Sequence, residues 1–202
     1  MPAGPVLSEV EREKIKAQLQ ELCTSHWVTK GYKKTSIKEL CGDAGISVGT
    51  FYTLYPAKED LFFATVEAIQ ERLEERVFAI VQNTPTMDGF ASAIKTLARE
   101  FDKMPFLYDA NTPDFLSFIT KLSDETMEKL KSDRMDFLRK FIQAANLELN
   151  LSEREAHGVL SALLSTIYAK ETISIAHDYF TVFDFMVDSL IPNIFKGETT
   201  HG

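Results

Sequence analysis

The residue types able to engage an anion are concentrated between Ser25 and Lys58. Five lysines (Lys30, Lys33, Lys34, Lys38 and Lys58) stand there against Glu39 and Asp43, a local charge of +3 in a chain whose net charge is −8. The remainder therefore carries −11, so attraction to a polyanion is confined to one end of an acidic molecule. Other chemistry finds little support. Among the four histidines no nucleophile–base spacing appears, and His157 and His177 lack the cysteine or carboxylate pattern that zinc requires. Cys23 and Cys41 fall on apolar helix faces, the setting of packed reduced thiols. No catalytic residue, metal or cofactor is expected, and the chain reads as a non-enzyme.

The elements that must position those lysines are two short helices and a glycine turn. Ser36 and Glu39 have the spacing of a capping box, and Ile37, Leu40, Cys41 and Ala44 give the following helix one apolar face. Gly45 stands where a helix end wants a positive φ, and Ser47 can cap a second helix from Val48 to Thr53. Two helices of this length across so tight a turn fit a helix-turn-helix, whose second helix enters the DNA major groove.

The residues of this stretch are Gly31-Tyr32, Thr35-Ser36, Ala44-Gly45-Ile46-Ser47, Gly49-Thr50, Tyr52, and Lys58-Glu59 followed by Leu61. In that order and spacing they resemble the DNA-binding segment of the tetracycline-repressor-like (TetR) family of bacterial transcription regulators. The resemblance covers about a quarter of the chain. It implies that Thr35 and Ser36 donate to phosphate, that Thr50 and Tyr52 contact backbone or base edges, and that Lys58 holds a phosphate near the next helix N-terminus. Ser47, Val48, Gly49 and Thr53 complete the reading surface, with Lys33, Lys34 and Lys38 adding general attraction. Because Ser47–Thr53 contains no Arg, Lys, Asn or Gln, the bidentate readers of guanine and adenine are missing. Val48 and Thr50 are expected to meet thymine methyls, with DNA shape adding the rest. Leu54 and Ala57 depart from the family pattern, so one phosphate contact and one helix cap should be absent.

Outside this stretch the periodicity predicts an all-α protein of about nine helices. Apolar residues make up 45% of the chain and glycine plus proline only 16 residues, which favours helical packing over disorder. Ser8 to Glu11 opens a helix to about Thr29, with Trp27 anchoring it and His26 a satisfied histidine at the core edge. Further helices are expected over Pro56–Gln82, Met87–Lys103, Pro113 onward, Ser123–Leu147 (a break near Ser123 being undecided), Ser152–Ser174 and Asp178–Ile191, with Pro192 ending or kinking the last. A boundary after residue 55 separates a DNA-binding domain, 1–55, from a ligand-binding and dimerisation domain, 56–202. No run reaches the ~18 apolar residues of a membrane span and the start lacks a secretory pattern, so a cytoplasmic protein without a membrane partner is expected.

The last two helices suggest a partner. Gly158, Ser161, Ala162, Ser165 and Ala169 form a small-residue face, and the final helix is apolar around most of its circumference. The resemblance implies a homodimer joined there, through that face and Phe183, Met186, Val187 and Leu190. It also implies a pocket for a small apolar or aromatic effector, for which Phe101, Met104, Phe106, Tyr108, Phe115, Phe118, Phe141, Tyr168 and Glu171 are candidates. Glu100 and Asp109 are further acids for a cationic ligand. The function implied is a dimeric repressor that binds palindromic operator DNA and is released by effector. The alternative is an activator or nucleoid-associated factor controlled by a protein partner, without a small molecule.

Overall fold

A computed structural model describes residues 7–104 and 112–196, apart from the side chains of 131 and 133–135. Among the described residues there are ten α-helices and no strand. They are α1 (Glu9–Lys30), α2 (Ile37–Ala44), α3 (Val48–Leu54), α4 (Lys58–Asn83), α5 (Met87–Lys103), α6 (Pro113–Ile119), α7 (Asp124–Ala144), α8 (Glu153–Ser165), α9 (Lys170–Ile173) and α10 (Tyr179–Ile194).

The helix starts follow their caps. Ser8 with Glu11 and Ser152 with Glu155 form complete capping boxes. Thr112 caps α6 with Pro113 in its first turn, and the oxygens of Thr86 and Asp178 open α5 and α10. Three stretches differ from expectation. First, α4 starts at Lys58 and not at Pro56, and the Asp60 carboxylate accepts the Ala57 N–H at 2.8 Å, supplying from inside the helix part of the cap that Ala57 lacks. Second, the helix expected from Ser152 to Ser174 breaks after Ser165 into a 3₁₀ turn, Thr166–Ala169, before α9. There Ser165 and Thr166 turn their hydroxyls back onto the carbonyls of Ser161 and Leu163, which competes with the helical ladder. Third, α10 runs through Pro192 to Ile194, since a proline in the last turn forfeits only one ladder bond. The undecided point near Ser123 is a true break between α6 and α7.

By their contacts the described residues sort into two units: 7–71 with 112–123, and 72–104 with 124–196. The first turns of α4 and all of α6 pack with the N-terminal helices in the first of these units. The cause is an aromatic cluster. Trp27 lies 4.6 Å from the Phe62 ring and 5.1 Å from Phe118, and Tyr32 meets Phe62 edge-on at 4.9 Å. Phe115 joins it on the Trp27 face. Burying each such ring contributes on the order of 2–3 kcal/mol. His26 is buried at the edge of this unit, with its Nε2 2.9 Å from Asp43, although its Nδ1 has no partner.

The second unit has its own core, in which Phe141 stacks on Phe90 at 4.7 Å and Phe195 meets Phe90 edge-on. Phe183, Val187 and Ile191 of α10 close it, with Leu160 and Leu163 of α8. The polar strip of α10 faces α5: Asp184 takes a bidentate pair from Arg99, and Asp188 pairs with Lys95 at 2.6 Å.

Candidate nucleic-acid interface

The turn between α2 and α3 is set by backbone chemistry. Gly45 adopts φ 67° and ψ 28°, a left-handed conformation that side chains disfavour. Ser36 accepts the Glu39 N–H, opening α2, but the reciprocal half of the expected box is missing because the Glu39 carboxylate turns to Lys30 at 3.4 Å. Ser47 accepts the Thr50 N–H at 3.0 Å and exchanges a hydroxyl hydrogen bond with Thr50 at 2.9 Å. Phe51 and Leu54 bury the inner face of α3. The outer face presents Val48, 42% exposed, and Tyr52, 52% exposed, with Gly49 and Thr53 also in solvent. Tyr52 also meets the Phe51 ring edge-on at 5.4 Å, and Val48 and Tyr52 together leave an apolar and aromatic surface on the outer side of α3. Lys33, Lys34 and Lys38 are solvent-exposed on the stretch leading into this pair, as is Ser36.

Two residues expected at phosphate are used inside the fold. Thr35 is 2% exposed and donates its hydroxyl to the Gly31 carbonyl at 2.8 Å, so it shapes the turn before α2. Lys58 donates to the Tyr32 carbonyl and holds its ammonium 4.1 Å over the Tyr32 ring. Burial lowers its pKa from the ordinary lysine value. Beside it Tyr32 donates to Glu59, which pairs with Lys121 at 3.4 Å. Burial and the Glu59 hydrogen bond push the Tyr32 phenol up. Burial alone would raise Glu59, but hydrogen bonds from Tyr32, the backbone and Lys121 hold it below the usual carboxylate value. The Lys58 ammonium is thus engaged by a carbonyl and a π face within the first unit.

The pattern missed two residues. Asp114 of α6 accepts the backbone N–H of Tyr32 at 2.6 Å and of Lys33 at 3.0 Å, clamping the turn where Gly31 has φ +80°. A Cβ on Gly31 would lie 2.8 Å from that carboxylate, so the glycine is required twice over. Arg12 of α1 donates to the Thr53 carbonyl at the end of α3, at 3.1 Å. No local signal marks a contact across 82 or 41 residues.

The residues expected at an effector pocket scatter. Phe115 and Phe118 belong to the Trp27 cluster of the first unit, and Phe141 is fully buried in the core of the second. Tyr168 is 47% exposed, in the 3₁₀ turn that follows α8, and Glu171 is exposed in α9. Glu100 is taken by Arg76 and Lys103, at 2.7 and 2.9 Å. Phe101 is half-buried against the core and Met104 ends α5. Phe106, Tyr108 and Asp109 lie outside the described residues. A cavity of about 440 Å³ beside the α7–α8 turn, lined by Ile142, Leu147, Leu149 and Glu153, involves none of them.

Of the residues expected at a dimer interface, Gly158, Ala162, Ser165 and Ala169 are exposed, and Ser161 partly so. Phe183 and Val187 are wholly buried in the core of the second unit. Met186 and Leu190 are half-buried, and the residue that stands out from α10 is Phe185, 71% exposed. On a helix apolar nearly all round, only packing reveals which stripe turns outward.

Residues 26–65 match the family model described as bacterial regulatory proteins, tetR family. No curated protein matches the chain by sequence. Among solved structures, the chain is similar to a TetR-family transcriptional regulator from Pectobacterium atrosepticum, at 17% identity and TM-score 0.65, covering 95% of this chain and 99% of that one. It is similar to the regulator FadR from Bacillus subtilis in complex with stearoyl-CoA, at 15% identity and TM-score 0.64, covering 88% and 98%. It is also similar to reduced NemR from E. coli, at 16% identity and TM-score 0.62, covering 90% and 98%. No helix among the described residues is long and apolar enough to cross a membrane.

Proposed function

We propose, from the match of residues 26–65 to the tetR family model and the likeness of the fold to TetR-family regulators, that the chain is a regulator of that family, binds palindromic operator DNA as a homodimer and is released by a small apolar or aromatic effector. The observation that carries this reading is the outer face of α3, where Val48 and Tyr52 stand in solvent, with Lys33, Lys34 and Lys38 also exposed, while Leu40, Cys41, Phe51 and Leu54 bury the inner faces of the pair. In this reading Ser36, Lys34 and the neighbouring lysines hold phosphate, Val48 and Thr50 meet thymine methyls, and Tyr52 reaches the backbone or a base edge. Two copies joined through the exposed small residues of α8 and Phe185 of α10 present two α3 helices about 34–36 Å apart, or a multiple. The effector occupies the second unit near Phe101 and Met104, with Phe106 and Tyr108 following in the chain. A relative of this fold holding stearoyl-CoA supports a site for an extended apolar ligand. Coupling of effector to DNA is of the usual size, about 1–3 kcal/mol.

Selection of duplexes from a random-sequence pool tests the DNA half: an inverted repeat should emerge, bound by a dimer in light scattering. A pool that returns no preferred sequence would end the proposal. A thermal-shift screen with metabolites tests the effector half, and a ligand that raises Tm must also weaken binding to the selected duplex. Stabilisation without that loss would assign the pocket another purpose.

A further inference from the structure

We infer that Arg12 is a positioning residue for DNA reading, holding the recognition helix α3 at the angle from which Val48, Thr50 and Tyr52 meet the groove. The inference rests on the DNA-binding reading above and adds to it a residue on α1, outside the helix-turn-helix.

α3 has seven residues, two turns, and a helix so short does not hold its own shape in water. It carries no charged side chain. Its N-terminal end is set by Ser47, which accepts the Thr50 N–H. Its inner face is set by Phe51 and Leu54. A cap and two side chains on one stripe leave a helix free to rock about that stripe, and rocking is the motion that moves Val48 and Tyr52 against a base edge. The C-terminal end decides whether it does. There the Thr50 carbonyl accepts the Thr53 hydroxyl at 2.7 Å and the Phe51 carbonyl accepts the Tyr55 N–H at 2.9 Å. The Thr53 carbonyl accepts from the Arg12 guanidinium at 3.1 Å. That last bond comes from another helix, lies off the buried stripe, and sets a positive charge at the negative end of the helix.

The backbone from which Arg12 projects is well anchored. Its own N–H closes the first turn of α1 onto the Ser8 carbonyl at 2.9 Å, and the Ser8–Glu11 capping box holds that turn. Two turns further along α1, Gln20 reaches the Tyr55 hydroxyl at 3.4 Å, a second strut to the residue that ends α3. The recognition helix is thus tied to α1 at its C-terminal end by two polar side chains and to the core by two apolar ones. Methyl and aromatic contacts in a groove decay within an ångström of displacement, so a helix that reads with Val48 and Thr50 depends on its angle more than one that reads with a long arginine.

The competing role is a direct one, with Arg12 touching phosphate. Salt separates the two, because each phosphate contact adds about 0.9 to the slope of log affinity against log salt. The experiment takes the full-length dimer, the duplex enriched by the unaltered protein from a random pool, and a scrambled duplex of the same composition. Arg12→Met keeps the aliphatic stem and removes the donors, and Arg12→Lys keeps a donor. If Arg12 positions α3, Arg12→Met weakens the enriched duplex by about five- to tenfold, leaves the scrambled duplex within about twofold, and keeps the salt slope, while Arg12→Lys recovers most of the loss. Equal weakening of both duplexes with a slope lower by about 0.9 makes Arg12 a phosphate contact and overturns the inference. Unchanged discrimination in Arg12→Met, or no recovery in Arg12→Lys, overturns it as well. Failure of the unaltered protein to enrich any duplex removes the DNA-binding reading itself, a result distinct from all of these.

Discussion

Asp114 offers the sharpest test of how the first unit is held together. Its carboxylate accepts two backbone N–H groups, from Tyr32 at 2.6 Å and Lys33 at 3.0 Å, and it sits on α6, more than 80 residues from the turn it clamps. Replacement by Ala leaves both donors without that partner. Hydrogen bonds to a charged acceptor contribute about 1.5–3 kcal/mol each, and partial solvent access reduces that, so the loss should be about 2–3 kcal/mol in all. Asp114→Asn keeps one neutral acceptor and should lose about half as much. The single tryptophan, Trp27, is 3% exposed among Phe62, Phe115 and Phe118, so its fluorescence reports the docking of α6 directly. With a urea slope of about 1 kcal/mol/M for a unit of this size, the midpoint of the Trp27 transition should fall by about 2 M in Asp114→Ala. Acrylamide quenching in the absence of urea should rise too. An unshifted midpoint with Trp27 still shielded would refute the clamp and leave α6 held by its aromatic rings alone.

Three further outcomes follow from the same geometry. Lys58→Met should lower the stability of the first unit while leaving the salt slope of DNA binding unchanged, because the ammonium is spent on the Tyr32 carbonyl and ring; a slope lower by about 0.9 would restore Lys58 to phosphate. In the proposed dimer, Phe185→Asp should raise the dissociation constant at least about 100-fold in light scattering with the helical CD signal intact. By contrast Val187→Ala, in the subunit's own core, should cost about 2 kcal/mol of stability and leave the dimer alone. Burial pushes the thiol of Cys23 from 9.0, and the phenol of Tyr55 from 10.0, each up to about 12. The native unit therefore keeps protons that the unfolded chain releases, so the stabilisation is complete below pH 9 and declines as pH rises toward 12. Urea midpoints read by Trp27 across that range should fall, and a flat profile would contradict the burial of both groups.

The local devices were legible in residue types because their physics is local. Ser47 three residues before Thr50, glycine at position 45, Thr112 before Pro113 and the Ser8 and Ser152 capping boxes all act within one turn of chain. Composition and period were enough for an all-helical chain, and the run from Gly31 to Leu61 for a helix-turn-helix. The Ser36 box, one turn long, was nevertheless only half formed, since Lys30 competes for the Glu39 carboxylate.

What the pattern could not hold is the destination of side chains whose neighbours are distant in sequence. Lys58 and Thr35 have the types that bind phosphate, and only packing turned them to the carbonyls of Tyr32 and Gly31. Phe115 and Phe118 read as body aromatics until α6 joined the Trp27 cluster, and Phe183 and Phe185 were indistinguishable on a helix apolar around most of its circumference. A one-dimensional period records that a residue will be buried or polar but not against whom. The sequence by itself therefore determined most of the helices, their caps and the helix-turn-helix pair. The tertiary structure decided which lysine is free, which face of α10 is outermost and which arginine steadies α3, because each depends on contacts that close only when the chain is folded.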